Sequence, residues 1–270
     1  MCYYNGQKVT RAEYIRLLDL EKAIAAFNFL DSDLFNGFDY PLVAVVKPRK
    51  EERNFDIVQM EWGFIPPYPK TREDVVKMRN GYTDDRGKFH IPYTMLNAQG
   101  EELLLPGKAF RQSALERRCL VLSSGFYDWR HVHGKNKRTG EPLKTATKYP
   151  YRVGIKESEY FYMAGIWQPW TDKQTGEYIE TVAIVTTKPP KGHLMAQVHN
   201  SKERMPTILP DDLAFEWIME ELNEERITEL ANYVIPSSSM NAYTIQKNFR
   251  ELTDPTSVFE YPELPPLIVA

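Results

Sequence analysis

Cysteine is scarce in this chain, with only Cys2 and Cys119 among 270 residues. That is too few for a disulfide framework and fits a reducing, cytoplasmic setting. Long apolar runs are missing as well. No stretch approaches the ~18 residues a membrane span requires, so no membrane partner is expected. Charged Lys8, Arg11 and Glu13 interrupt any signal-peptide core. Only Met1 precedes Cys2, which excludes a lipoprotein reading. Positive charge is not in excess either. The formal net charge of −3 gives no global basic field, although a local basic groove stays open. The apolar and charged fractions are those of an ordinary globular protein.

What the chain does have is a cysteine directly behind the initiator. Removal of Met1 would leave Cys2 with a free α-amine and a thiol on neighbouring carbons. The two groups titrate near ~8 and ~8.5, so each has a reactive fraction at neutral pH. The amine can condense with an aldehyde to an imine, and the thiol can then close a five-membered thiazolidine. Alternatively, the thiol can attack an acyl group while the amine takes its proton. On position alone, Cys2 is an ordinary residue at a chain end.

The pattern of elements predicts an α+β fold with a mostly antiparallel, barrel-like β-sheet core and flanking helices. Thr10-Arg11-Ala12-Glu13 reads as a capping box opening a helix to about Leu30. Strands are expected over 39–47, 55–64, 118–124, 149–155, 160–167, 178–187 and 205–209. Helices are expected over 108–117 and 211–222, the second with Pro210 at its mouth. Residues 69–90 read as a polar surface excursion, 130–148 as a basic loop and 172–176 as a turn. The whole chain reads as one domain, 1–270, with a Ser/Pro-rich segment, 236–270, wrapping the surface.

Four segments carry polar residues in unusually structured settings: Leu96 to Glu101, Arg118 to Trp129, Ala164 to Trp167, and His199 to Pro206. Singly, each has a bland reading. Asn97 is a turn residue, Asp128 the solvent-facing member of an alternating strand, His199 a surface histidine, Arg204 a surface cation and Cys119 a core residue.

Together they form an ordered series. Met-Cys is followed by Trp-Gly-Phe-Ile-Pro, Asn-Ala-x-x-Glu, Phe-Arg, Arg-Cys-Leu, Gly-Phe-Tyr-Asp-Trp, Ala-Gly-Ile-Trp, Thr-Thr, and His followed by Arg-Met-Pro. From Cys2 to at least Leu209 this order closely resembles the SOS response-associated peptidase (SRAP) family of abasic-site DNA–protein crosslinking proteins. The resemblance implies a role in the DNA damage response. Cys2, freed of Met1 by a peptidase step, would capture abasic sites in single-stranded DNA as a thiazolidine crosslink. The activity would be lyase-like and need no cofactor or metal. The protein would be a monomer in the cytoplasm, nucleoid-associated when bound to DNA.

By the same resemblance the catalytic residues are Cys2, Asn97, Asp128 and His199. Asp128 and His199 would move protons, and Asn97 would bond the sugar or the Cys2 end. Arg204 would bind phosphate, with Trp62, Pro41, Trp129 and Arg111 as further DNA contacts. Trp62 and Pro41 would form a wedge or stacking platform at the lesion. Three positions depart from the family pattern. Asp128 stands where glutamate is usual, Gln99 stands where arginine is frequent, and four residues separate His199 from Arg204. Two other classes compete with this reading. One is an N-terminal-nucleophile hydrolase, although Tyr3-Tyr4 replaces the Gly-Ile that usually follows Met-Cys in glutamine amidotransferases of that type. The other is a β-barrel binding module with a chance cysteine. A DNA aldehyde separates the three, since only the crosslinker forms an adduct that survives denaturation without borohydride.

Overall fold

The computed structural model describes residues 2–136 and 138–268. Five strands close into a ring: Asn54–Trp62, Leu42–Arg49, Arg118–Ser123, Phe161–Thr171 and Tyr178–Thr187. Neighbours in the ring run antiparallel except at the closure, where Thr181 and Val182 pair in parallel with Glu61 and Trp62. These strands are rich in Val, Ile and aromatic residues, which suit a pleated, half-buried surface. Closing the ring removes the edges that such strands would otherwise expose. Short strands Asn97–Gln99, Met205–Pro206 and Ile208–Leu209 add to its rim. A second antiparallel sheet runs in the order Met240–Thr244, Pro142–Ile155, Gly125–Lys135, Tyr4–Gly6, Phe35–Asn36.

Alternation along the ring strands divides the core. Val43, Val45, Val121, Met163 and Val182 join a cluster with Phe126, Tyr151 and Val153 of the second sheet. Their neighbours Ala44, Val46, Leu120, Leu122, Ala164 and Ala183 join another. That cluster includes Trp217 and Ile218 of helix Asp211–Met219, and Ile227 and Leu230 of helix Glu224–Ala231. The chain is α+β, with mostly antiparallel sheets, a closed five-stranded barrel-like ring and few helices. No helix among the described residues is long and apolar enough to cross a membrane.

Several local expectations are corrected. The helix expected from Thr10 is instead a hairpin, Tyr14–Leu17 with Leu20–Ala23. Ile15 and Leu17 are buried at period two, and the amides of Thr10, Arg11 and Ala12 are taken by the Glu159 carboxylate at 2.7–2.9 Å. The amides of the expected helix start are thus satisfied by a side chain 147–149 residues away. The basic 130–148 stretch is a hairpin arm continuing strands Gly125–Lys135 and Pro142–Ile155. Both of its faces are largely exposed towards the tip, so it lacks the apolar alternation that marks a strand. Lys137 of that arm lies outside the described residues, as do Met1, Val269 and Ala270. Helix Glu224–Ala231, capped by Asn223, and edge strand Met240–Thr244 were not expected from the pattern. The 205–209 run makes two short pairings rather than one strand.

The 69–90 excursion contains helix Arg72–Asn80, opened by a Thr71/Asp74 capping box, and a hairpin of Tyr82–Thr83 with Phe89–His90. Val75 packs it on Ile65 and Trp170, and a buried arginine ties it to the ring. Arg79 Nη2 donates to Glu61 at 2.6 Å and to the Gly63 carbonyl at 2.8 Å, and its guanidinium lies 3.6 Å from the Tyr40 ring centroid. Removing one partner of a buried pair leaves the other charge uncompensated. Arg72 stays within 3.3 Å of Glu61 and softens that loss. Arg79→Ala is expected to destabilise the fold by about 3 kcal/mol in chemical denaturation. A loss below about 0.5 kcal/mol would show that the excursion is held by other contacts.

Candidate active site around Cys2

Tyr4, Asn5 and Gly6 pair with Tyr127, Phe126 and Gly125. Before Tyr4 the chain leaves this ladder, and two donors hold it. The Gly37 amide donates to the Tyr3 carbonyl, and Asn97 Nδ2 donates to the Cys2 carbonyl, each at 2.8 Å. Cys2 is thereby drawn into the cluster containing Phe126 and is fully buried. Its thiol faces the Tyr4 carbonyl at 3.6 Å. Burial pushes the thiol up to about 12, and the Asp128 carboxylate adds to the rise. The amino-terminal charge and the Tyr4 contact oppose it. At neutral pH this thiol is protonated and needs a base before it can act as a nucleophile.

Asp128 lies opposite Tyr151 on strand Gly125–Lys135 and is only 2% exposed. It is therefore not the solvent-facing residue that alternation alone suggests. Gly125 opens this strand at φ +155°, with the Arg152 guanidinium less than 3 Å from where a Cβ would sit. Asp128 Oδ1 accepts from the Trp129 amide at 2.8 Å and meets His199 Nδ1 in a short contact. Among the described residues, Asp128 Oδ2 and Asn97 Oδ1 are buried with no hydrogen-bond partner.

His199 ends helix Leu194–Val198, its amide bonded to the Met195 carbonyl at 2.9 Å. At the start of that helix His193 Nδ1 accepts from the Met195 amide, which places the proton on Nε2, donated to the Ile235 carbonyl. Asn200 then locks the loop to the strand. Its Oδ1 accepts from the His131 amide at 2.9 Å, and its Nδ2 donates to the His131 carbonyl at 2.7 Å. This two-bond clasp, which the motif series did not single out, sits beside both Asp128 and His199.

The other expected site residues fall in different places. Trp62 is 1% exposed, and its indole donates to the Leu96 carbonyl at 3.0 Å. Its amide bonds the Pro41 carbonyl at 2.8 Å. The Trp62 ring is thus core and offers no face for stacking; it supports the residue before Asn97 instead. Apolar enclosure with a satisfied indole N–H makes that position stable. Trp129 packs edge-on to Tyr4 at 5.4 Å and against Phe249 at 5.9 Å. Arg204 is not a free surface cation. It forks onto Glu101 with two 2.8 Å bonds and reaches the Thr186 carbonyl. Burial would raise the Glu101 carboxyl, but the Arg204 hydrogen bonds and charge, together with the Glu101 and Lys188 amides, hold it below the usual range. Arg111 is tied to Glu224 and to the Leu104 carbonyl, apart from the Cys2 cluster. Gln99 is exposed, two residues along the strand from Asn97. Cys119 is buried core, as read. Among the described residues no three His, Cys, Asp or Glu side chains gather as a metal site.

Part of the motif series is linked near the chain start. Cys2, Asn97, Asp128 and His199 come from the chain start, the ring rim, the second sheet and the end of a short helix: Asn97 bonds the Cys2 carbonyl, the Asp128 charge acts on the Cys2 thiol, and His199 meets Asp128. The profile of the family described as SOS response associated peptidase (SRAP) matches residues 1–251. Abasic site processing protein YoqW of Bacillus subtilis is 31% identical over 160 residues, 59% of this chain and 56% of its own length. Abasic site processing protein HMCES of Pongo abelii is 27% identical over 178 residues, 58% of this chain and 43% of its own length. The matches thus span about half the length of these relatives. A crystal structure of a protein from Bacteroides thetaiotaomicron superposes with a TM-score of 0.69 at 26% identity, covering 95% of this chain and 97% of that one. With the motif series, the site geometry and the match over residues 1–251, the chain belongs to the SOS response associated peptidase (SRAP) family.

Proposed function

We propose that this protein captures abasic sites in single-stranded DNA through Cys2, once Met1 has been removed. The observation that carries the reading is the convergence of Asn97, Asp128 and His199 on the first residues of the chain. The relatives named as abasic site processing proteins support the choice of lesion. Hydrolysis of the Met1–Cys2 bond frees the α-amine. The amine adds to the C1′ aldehyde of the ring-opened sugar, and the carbinolamine loses water to form an imine. The thiol then adds across the C=N bond: sulfur bonds C1′ and its proton passes to nitrogen. The net reaction joins aminothiol and aldehyde as a thiazolidine and releases one water.

The raised thiol pKa favours this order, with the amine reacting first and the sulfur second. Asp128 and His199 are suited to pass protons during water loss and ring closure. The orphaned acceptors Asp128 Oδ2 and Asn97 Oδ1 are suited to receive the N–H and O–H donors of the amine and carbinolamine. Holding both nucleophiles on one residue gives ring closure an effective-molarity advantage. The protein would act in the cytoplasm as a monomer, shielding the lesion on the nucleoid during the DNA damage response.

Intact mass of the purified protein should show loss of Met1. Cys2→Ala should abolish the denaturation-stable adduct with an abasic oligonucleotide, and Cys2→Ser should leave at most a labile one. Full-rate crosslinking by a chain that keeps Met1 would rule out the thiazolidine. In single-turnover kinetics at saturating DNA, Asp128→Asn and His199→Ala should each slow capture or its reversal by ~100-fold or more, with DNA affinity nearly intact. Wild-type rates for both would make the pair structural. Alkylation of Cys2 in the Met1-bearing chain should be slow at neutral pH and climb steadily as pH approaches 12, because the reactive thiolate appears only there. A plateau reached by pH 9 would show an unshifted thiol.

A further inference from the structure

Residues 258–268 form a strap that crosses the second sheet strand by strand. It leaves edge strand Met240–Thr244 through the Phe259 amide, which donates to the Thr244 carbonyl at 2.9 Å. Tyr149 of the next strand donates its hydroxyl to Glu263 at 3.1 Å. Arg130, one strand further, donates to the Pro265 carbonyl. The match is chemical as well as spatial, since a guanidinium only donates and a proline backbone only accepts. The strap then meets helix Leu194–Val198. Gln197 Nε2 donates to the Ile268 carbonyl at 2.6 Å, and Gln197 Oε1 accepts from the Ile268 amide at 2.9 Å. Leu264 and Leu267 pack on the cluster that contains Cys2.

The two tethers fall at telling positions. Arg130 is two residues after Asp128, and Gln197 is two residues before His199. The strap thus joins the strand that carries Asp128 to the helix that presents His199. That helix needs outside support. Its five residues are far below the ~12–15 at which a helix stands alone in water. His193 holds its start on the Ile235 carbonyl at 2.9 Å. Gln197 holds its end on the strap, and Asn200 holds the following loop on His131. His199 therefore sits between two carboxamides, each closing two bonds on the backbone of one residue. Only 7% of His199 and 2% of Asp128 are exposed, so a shift in their supports passes directly to their contact.

Resting on the abasic-site reading above, we propose that Gln197 is a positioning residue, which acts through the strap to hold His199 against Asp128 for proton transfer. Arg130 holds the same strap from the Asp128 side. The Gln197 carboxamide carries no charge, so attraction of phosphate does not account for its place here. Ile268 is 76% exposed, so it contributes through its backbone rather than through core packing. Gln197 and Ile268 must then work as one unit. A displacement of about 1 Å near reacting groups costs on the order of 100-fold in rate. Loss of one tether among several is expected to cost roughly tenfold.

The test measures single-turnover capture of an abasic oligonucleotide, at saturating DNA, by wild type, Gln197→Ala, Ile268→Pro and the double variant. Ile268→Pro keeps the strap and deletes the amide that Gln197 accepts from. Each single variant should be roughly tenfold slower than wild type, with DNA affinity and denaturation midpoint unchanged. The double variant should be no slower than the slower single variant, because partners in one contact are not additive. A second readout needs no DNA. In proton NMR the His199 Nδ1 proton, assigned by its loss in His199→Ala, should be protected from solvent exchange in wild type and exchange faster in both single variants. If wild type forms no adduct, the reading of Cys2 fails, and the His199 proton still decides the role of Gln197. Wild-type capture rates in both single variants, unchanged exchange of the His199 proton, or losses that multiply in the double variant would each overturn the proposal.

Discussion

A carboxylate almost wholly removed from water is the constraint around which this molecule is arranged. An isolated buried charge is too costly to persist unless a donor meets it. Asp128 meets the Trp129 amide within its own strand and His199 from across the structure. His199 can reach it only if the short helix before it and the loop after it are both fixed. His193 bonding Ile235 fixes the first, and the Asn200 clasp on the His131 backbone fixes the second. The second sheet, the helix start and the loop are thus bound to one another through the need to satisfy one acid.

The same economy governs the chain start. Two donors, from Asn97 and Gly37, pull the first residues off the sheet ladder and press Cys2 into the core. Behind Asn97 stands Trp62, whose indole bonds the preceding carbonyl. Against this order, two acceptors, Asp128 Oδ2 and Asn97 Oδ1, are buried without partners. A buried unsatisfied acceptor costs about 1–3 kcal/mol, and native folds keep few of them. Asn97 bonds the Cys2 carbonyl, and the Asp128 charge acts on the Cys2 thiol.

Sequence patterns were informative to different degrees along the chain. The ring strands were legible because Val-rich runs such as Leu42–Val46 and Arg118–Ser123 are apolar enough to mark themselves. The capping-box letters after Thr10 point to a helix, but they have a long-range solution in Glu159, which no window around Thr10 contains. The 130–148 arm escapes the pattern for a different reason. A hairpin with both faces in solvent carries charge where a strand signal needs apolar alternation. Trp62 was assigned a surface role because its motif suggested function, and a motif does not report which way a ring points.

The sequence by itself determined three things: a cysteine at position 2, an ordered motif series that marks the SRAP family, and a β-rich α+β fold. These follow from residue identity and local periodicity, which travel with the chain whatever its conformation. Only the tertiary structure decided that Asp128 is buried on His199 and that Arg204 is held by Glu101. It likewise decided that Trp62 faces inward. Burial and charge pairing depend on residues tens to a hundred positions apart, brought together by closure of the ring and its docking on the second sheet. No local stretch of sequence contains both partners.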